Sequence, residues 1–253
     1  MKIYVILHKY FNTNKYPEGY QNLLVGSYNK EHIYNNYYYD DVGDNISRKN
    51  PNYCELTGLY SIWRNSSEDI VGIVHYRRFF TTNRFSSSSK YFYNTKIIYK
   101  KLKKYDAIVG ERVFSNTESV AKDYSTYHFK KDWNILKGVI KDNFSDYYDD
   151  FCKIENSNWF YPYNMIIAKR DIFNNYCKWL FSVLNEVEKR TDISNYSKQQ
   201  ARIYGFMSER LLALWLIHNN VNVFEAPVIQ TDGRFRYRIR RYIEKILKRR
   251  IAK

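Results

Sequence analysis

Ile70-Val71-Gly72-Ile73-Val74-His75-Tyr76-Arg77-Arg78 is the stretch that decides the fold. An unbroken apolar run from Ile70 to Val74 predicts a short strand buried on both faces, and the abrupt change to His75-Tyr76-Arg77-Arg78 predicts its polar end. The same pattern stands at the start of the chain, where Lys2 to Leu7 gives way to His8 and Lys9. Leu23 to Ser27, Asp106 to Gly110 and Met165 to Ala168 read as further strands, and Val221 to Val228 as a closing pair that ends near Pro227. Helical spacing fills the intervals. Leu56, Leu59, Tyr60 and Trp63 share one face after Pro51. Ser119 to Phe151 is a polar, aromatic helical region, and Ile172 to Val187 keeps a 3.6-residue period. Leu211 to Ile217 is apolar almost all round, which predicts a buried helix with Ser208 and Glu209 in its first turn. Alternating strands and helices predict an α/β fold with a mixed, mostly parallel central sheet flanked by helices. Ligands of such sheets collect at the strand ends, so His8, Lys9, His75, Arg77 and Arg78 are the first site candidates.

The bulk composition excludes several classes. With 253 residues, 44% hydrophobic and 26% charged, the chain can bury one sizeable core. Tyr, Asn, Lys and Ile are high together, which reads as coding bias, so the 27 tyrosines carry no argument for a stacking surface. Cys54, Cys152 and Cys177 are distant, odd in number and without CxxC spacing, against a disulfide framework or zinc site and in keeping with a reducing cytoplasm. The Ile3 to Leu7 run is too short for a signal-peptide core, and no stretch reaches membrane-span length. Ser86 to Ser89 marks a loop. GxGxxG, P-loop, HExxH and GxSxG patterns are missing.

Charge is uneven. From Arg234 to Lys253 ten Lys or Arg face Glu244 alone, which is +9 of the net +15. Ile239, Tyr242, Ile243, Ile246 and Leu247 make one apolar stripe if this segment is helical. The expectation is a domain over residues 1–232 and a basic amphipathic tail over 233–253, whose Arg238, Arg241, Lys245, Lys248 and Arg249 would meet an anionic membrane surface. A solvated terminal helix and a nucleic-acid-binding module are the competing readings; no reader motif accompanies the charge, so nucleic acid is not the expected partner.

At the strand ends, Arg77 and Arg78 have the planar donors that bind phosphate oxygens in pairs, although such a pair can equally be a solvated edge. Glu209 could act as a base at a cleft mouth or be an ordinary first-turn acid. Asp44-Asn45-Ile46-Ser47-Arg48-Lys49-Asn50 could be a nucleotide loop or an N-cap and turn.

The blocks DNISRKN (44 to 50), YCELTGLYSIWRN (53 to 65), GIVHYRRFF (72 to 80), YDAIV (105 to 109), NMIIAKRDIFNNYCKWLF (164 to 181) and GFMSERLLALWL (205 to 216) stand in an order that resembles the bacterial capsular and exopolysaccharide biosynthesis proteins first catalogued as a domain of unknown function and regarded as glycosyltransferases of GT-A-like fold. The resemblance covers the chain to about Asp232. It implies hexose transfer, of galactose in pyranose or furanose form, from a UDP-sugar to a lipid-linked or oligosaccharide acceptor, with inversion, by a cytoplasmic protein peripheral to the membrane. Retention, or a non-catalytic assembly role, is the alternative. By position, His8, Lys9, Asp44, Asn45, Ser47, Lys49 and Asn50 would hold the nucleotide, and His75, Arg77 and Arg78 the diphosphate. His128 and Asn164 would line the sugar and acceptor, and Glu209 would be the base. GT-A enzymes usually carry Asp-x-Asp and a divalent metal after the central strand. Here His75-Tyr76-Arg77-Arg78 stands in that place, so no cofactor is expected and arginine is expected in the metal's role.

Overall fold

In the computed structural model, which describes residues 1–11, 16–232, 239 and 242–244, the chain runs β1 (Lys2–Leu7), β2 (Tyr20–Leu24), β3 (Tyr38–Tyr39), α1 (Asn50–Tyr53), α2 (Leu56–Asn65), β4 (Ile70–His75), β5 (Arg78–Phe80) and α3 (Thr95–Leu102). It continues through β6 (Ala107–Gly110), β7 (Val113–Phe114), α4 (Val120–Tyr127), α5 (Lys130–Asn143), α6 (Tyr148–Asn156), β8 (Trp159–Phe160), β9 (Ile166–Lys169), α7 (Arg170–Arg190), α8 (Ile203–His218), β10 (Val223–Ala226) and β11 (Val228–Gln230). The main sheet has the order β10-β6-β9-β4-β1-β2-β3, with β5 and β11 attached beside β4. Neighbours are parallel except around β9, which runs against both β4 and β6, and in the β4-β5-β11 pairing. The expected mixed, mostly parallel sheet is therefore present.

Alternation along the strands divides the core in two. Tyr4, Ile6, Val71 and Ile73 face a cluster built with α2 and α4 to α8. Ile3, Val5, Leu7 and Val74 face a second cluster with α3 and the aromatic residues Phe79, Phe80 and Phe92. Gly72 permits the close β4-β9 approach, because a Cβ there would stand 2.5 Å from Ile167 Cγ1.

Several boundaries differ from the sequence reading. The helical region from Ser119 to Phe151 is three helices, broken at the extended residues His128 and Phe129 and again near Phe144. The helix after Pro51 is interrupted at Cys54, whose φ of 54° and ψ of −128° no helix accommodates. The last helix starts eight residues before Leu211, at Ile203, so Glu209 lies in its second turn and the helix-dipole argument made for it does not apply. The three cysteines are free. No helix among the described residues is long and apolar enough to cross a membrane.

Candidate active site

β1 and β4 are parallel neighbours, and Ile6 stands opposite His75, so both chains leave the sheet at one edge. From β4 the chain turns through Tyr76 and Arg77, which pairs His75 with Arg78. From β1 it continues into His8, whose ring meets Tyr76 edge-on at 5.1 Å. Burial first, then the charges of Lys9, Arg77, Arg202 and Lys30, hold the His8 imidazole below its ordinary pKa. Four cations thus act on one exposed imidazole, which makes this edge an electropositive mouth suited to an anion.

The two arginines have different surroundings. Arg77 Nη1 is 2.7 Å from Asp232 Oδ2, in a half-exposed ion pair. Arg78 lies over the ring of Tyr163 with Cζ 4.2 Å from its centroid, and among the described residues no carboxylate comes within ion-pair distance of it. Its charge is the less compensated of the two.

Tyr163 and Asn164 are consecutive left-handed residues, with φ of 74° and 52°, just before β9. Such conformations cost of order 1 kcal/mol or more for non-glycine residues and persist only where the surroundings over-determine them. Here three groups do so. His75 Nε2 lies 2.6 Å from the Tyr163 carbonyl, and since a carbonyl only accepts, that nitrogen carries the proton. Glu209 Oε1 accepts the Tyr163 N–H at 2.9 Å, and Arg78 covers the ring. Burial lowers the pKa of His75 to about 4, so at neutral pH it is an uncharged donor whose Nε2 is already committed. It positions Tyr163 and adds no charge for a phosphate.

The clasp aims Asn164, 1% exposed, at a second carboxylate: its Nδ2 donates to Glu55 Oε1 at 2.7 Å. Burial pushes the Glu55 carboxyl above the ordinary range, against the opposing Asn164 hydrogen bond and the charges of Arg202 and Arg78. Burial also raises Glu209, opposed by Arg210 and reinforced by the negative charge of Glu55. Arg210 binds Glu209 at 3.1 Å and Asp123 at 2.8 Å. Two neighbouring carboxylates with raised pKa values, fringed by arginines, give this edge groups of the kind that can take or give a proton. Asn164 Oδ1 and Arg78 Nε are buried without a hydrogen-bond partner, so the cluster does not satisfy itself.

Glu55, Tyr163, Arg202 and Lys30 were not foreseen. Glu55 is held at the start of α2 by the backbone reversal at Cys54, whose Sγ accepts from Arg202 Nε at 3.1 Å. The other candidates are placed as follows. In the 44–50 loop, Asp44 pairs with Arg64 at 2.6 Å and Lys49 with Glu188 at 2.6 Å. Asn45 Nδ2 donates to the Asp41 and Gly43 carbonyls, and Asn50 Nδ2 to the Cys54 carbonyl and Thr57. Ser47 Oγ donates to Asp40, a buried carboxylate that also accepts from the Gly26 and Ser27 N–H groups and from Thr57. Each of these side chains is committed within the protein, and the loop buttresses the turn after β2. His128 stacks on Phe206 at 4.1 Å, one turn from Glu209 and Arg210 on α8, and burial lowers its pKa. Arg238, Arg241, Lys245, Lys248 and Arg249 lie outside the described residues. A cavity of about 500 Å³ between Tyr147, Trp179 and Trp215 has none of the site residues in its wall.

Residues 2–220 match the family model described as Domain of unknown function (DUF4422). The chain belongs to that family. A solved structure titled "WbbM bifunctional glycosytransferase apo structure" superposes on this DUF4422 chain with a TM-score of 0.81 and 26% identity, over 92% of this chain and 45% of that one. The fold is accordingly GT-A-like, and the chain spans less than half of that protein's length. No curated protein matches it. GT-A folds usually hold a divalent metal after the central strand. After β4 stand two guanidiniums and an imidazole bound to a carbonyl, and among the described residues no group of three or more His, Cys, Asp or Glu could hold a metal ion.

Proposed function

We propose that the chain is a metal-independent glycosyltransferase of surface-polysaccharide synthesis, moving a hexose from a UDP-sugar to a lipid-linked or oligosaccharide acceptor with inversion. The observation that carries the reading is the Tyr163 clasp, which holds a carboxylate of raised pKa, Glu209, on the same residue as the unpaired guanidinium of Arg78. The structural likeness to a bifunctional glycosyltransferase supports the reaction class.

In this reading the diphosphate lies in the field of Arg78, with Lys9, Lys30 and Arg77 around His8, and Asn164 lines the sugar. His8 and Lys9 meet the nucleotide, while the 44–50 loop shapes its site indirectly through Asp40. Glu209 takes the proton of the acceptor hydroxyl, that oxygen bonds to the anomeric carbon, and the bond from that carbon to the diphosphate breaks with its electron pair. Arg78 meets the charge that develops on the leaving oxygen. A raised carboxylate pKa suits this use, since it makes the ionised carboxylate a stronger base.

A panel of nucleotide sugars, each incubated with a soluble acceptor and excess EDTA, tests the proposal. Transfer from a UDP-hexose, undiminished by the chelator and with inverted product anomer by NMR, is the expected result. Strict restoration by manganese or magnesium would remove arginine from the metal's role, and a retained anomer would remove the single displacement.

Glu55→Gln keeps an oxygen to accept from Asn164 but deletes the charge that helps to hold Glu209 high. The base must be ionised to act, so activity falls as pH drops through the Glu209 pKa. The variant's acid limb should therefore move to lower pH, and a limb that stays in place or moves up would show the two carboxylates to be uncoupled.

A further inference from the structure

Between Asp69 and Asp106 the chain contains no Asp or Glu and nine Lys or Arg, and this acid-free stretch includes α3. The inner face of α3 is used up in the core through Ile98 and Leu102, which pack beneath the sheet with Ile108. Its outer face carries Lys96, Tyr99, Lys100 and Lys103 at i, i+3, i+4 and i+7, all exposed, with Lys104 exposed just beyond. Lys2, Lys49, Lys137, Lys153 and Lys189 each have a carboxylate partner. Among the described residues, the four outer lysines of α3 have none.

We propose that this face of α3 docks on an anionic phospholipid bilayer. An uncompensated row of ammonium groups on a convex helix is complementary to a flat negative surface, to which each lysine within a Debye length adds attraction. Tyr99, 49% exposed in the middle of the row, has the apolar body and polar tip that sit at headgroup depth. Contact is by adsorption and not insertion, because the apolar side of the helix already faces the core. A single convex face has neither the groove nor the stacking platform that a nucleic-acid strand needs.

Only four residues separate Leu102 from Ala107, and at its other end Thr95 lies beside Gly19 and Met1, so α3 lies at the sheet edge where β1 and β6 begin, opposite to His8 and His75. A bilayer along α3 would hold the protein at the surface that presents a lipid-linked acceptor and leave the mouth at the opposite sheet edge uncovered. The purpose of docking rests on the glycosyltransferase reading, but the docking measurement needs no catalysis.

The full chain would be co-sedimented with phosphatidylcholine vesicles and with vesicles carrying about one-third phosphatidylglycerol. Binding is expected to the anionic vesicles only, to weaken with salt, and to need at least about tenfold more lipid in the Lys96→Gln/Lys100→Gln/Lys103→Gln/Lys104→Gln variant. An unchanged thermal midpoint and unchanged transfer to a soluble acceptor would locate the loss at the surface. Equal binding of pure phosphatidylcholine, unaltered binding by the variant, or preference for an oligonucleotide over the anionic vesicles would each overturn the proposal. Lysine-dependent vesicle binding by a chain that transfers no sugar would leave the docking standing and remove the glycosyltransferase reading.

Discussion

Arg78→Ala should lower kcat for UDP-hexose transfer by about 10²- to 10³-fold, the loss seen when a preorganised donor to a developing anion is deleted. Arg77→Ala should cost less than about tenfold, because its guanidinium is already neutralised by Asp232 at 2.7 Å. The asymmetry follows from surroundings, since adjacent residues of one type leave the sheet in different directions. Arg78 is held over Tyr163, with Cζ 4.2 Å from the ring centroid, and meets no carboxylate at ion-pair distance among the described residues, so its charge remains for a ligand. Arg78→Lys should fall between the two, keeping the charge and losing the planar stacking and paired donors. Initial rates at saturating donor, with calorimetric UDP affinities alongside, make the measurement. Arg78→Ala within threefold of the parent while Arg77→Ala collapses would exchange the two roles.

That difference could not be read from Arg77-Arg78 in the sequence. The apolar runs at Lys2 to Leu7, Ile70 to Val74 and Asp106 to Gly110 predicted strands because a strand buried on both faces has little compositional freedom. The long helix was legible for a similar reason, as Ile172 to Val187 must keep one face apolar through its length. Strand direction leaves no comparable trace, so nothing in Ile166–Lys169 announced that β9 runs against its neighbours. The helix breaks at His128 and at Cys54 involve neither glycine nor proline, and the usual punctuation was missing.

Site residues were legible where the strand-end rule applied and illegible where backbone geometry decided. His8, His75 and Arg78 follow from the first. Glu55 was hidden inside a helical pattern, and only the left-handed φ of Cys54 turns it into the cluster. Tyr163 offers a backbone N–H, a carbonyl and a ring face, none of which a motif records. The 44–50 loop shows the reverse case. Short polar side chains beside cations look alike whether they bind a ligand or cap a turn, and here Asp40, outside the loop, draws Ser47 inward.

Glu209→Gln should reduce turnover by about 10²- to 10⁴-fold, the span expected when a positioned general base is removed. The substitution is close to isosteric. Its amide oxygen can still accept the Tyr163 N–H, so the left-handed pair before β9 keeps its support, and Arg210 retains Asp123 at 2.8 Å. UDP affinity should therefore stay within about threefold of the parent, which separates lost chemistry from a lost site. The pH profile supplies an independent readout. The acid limb reports ionisation of a carboxyl raised by burial, and with no carboxyl at position 209 that limb should flatten in whatever activity remains. Glu209→Asp should recover part of the rate, because a base set back by one methylene can still reach an acceptor hydroxyl through water. If Glu209→Gln turns over normally while Glu55→Gln is inactive, the proton goes to the partner of Asn164, and Glu209 serves only to hold Tyr163.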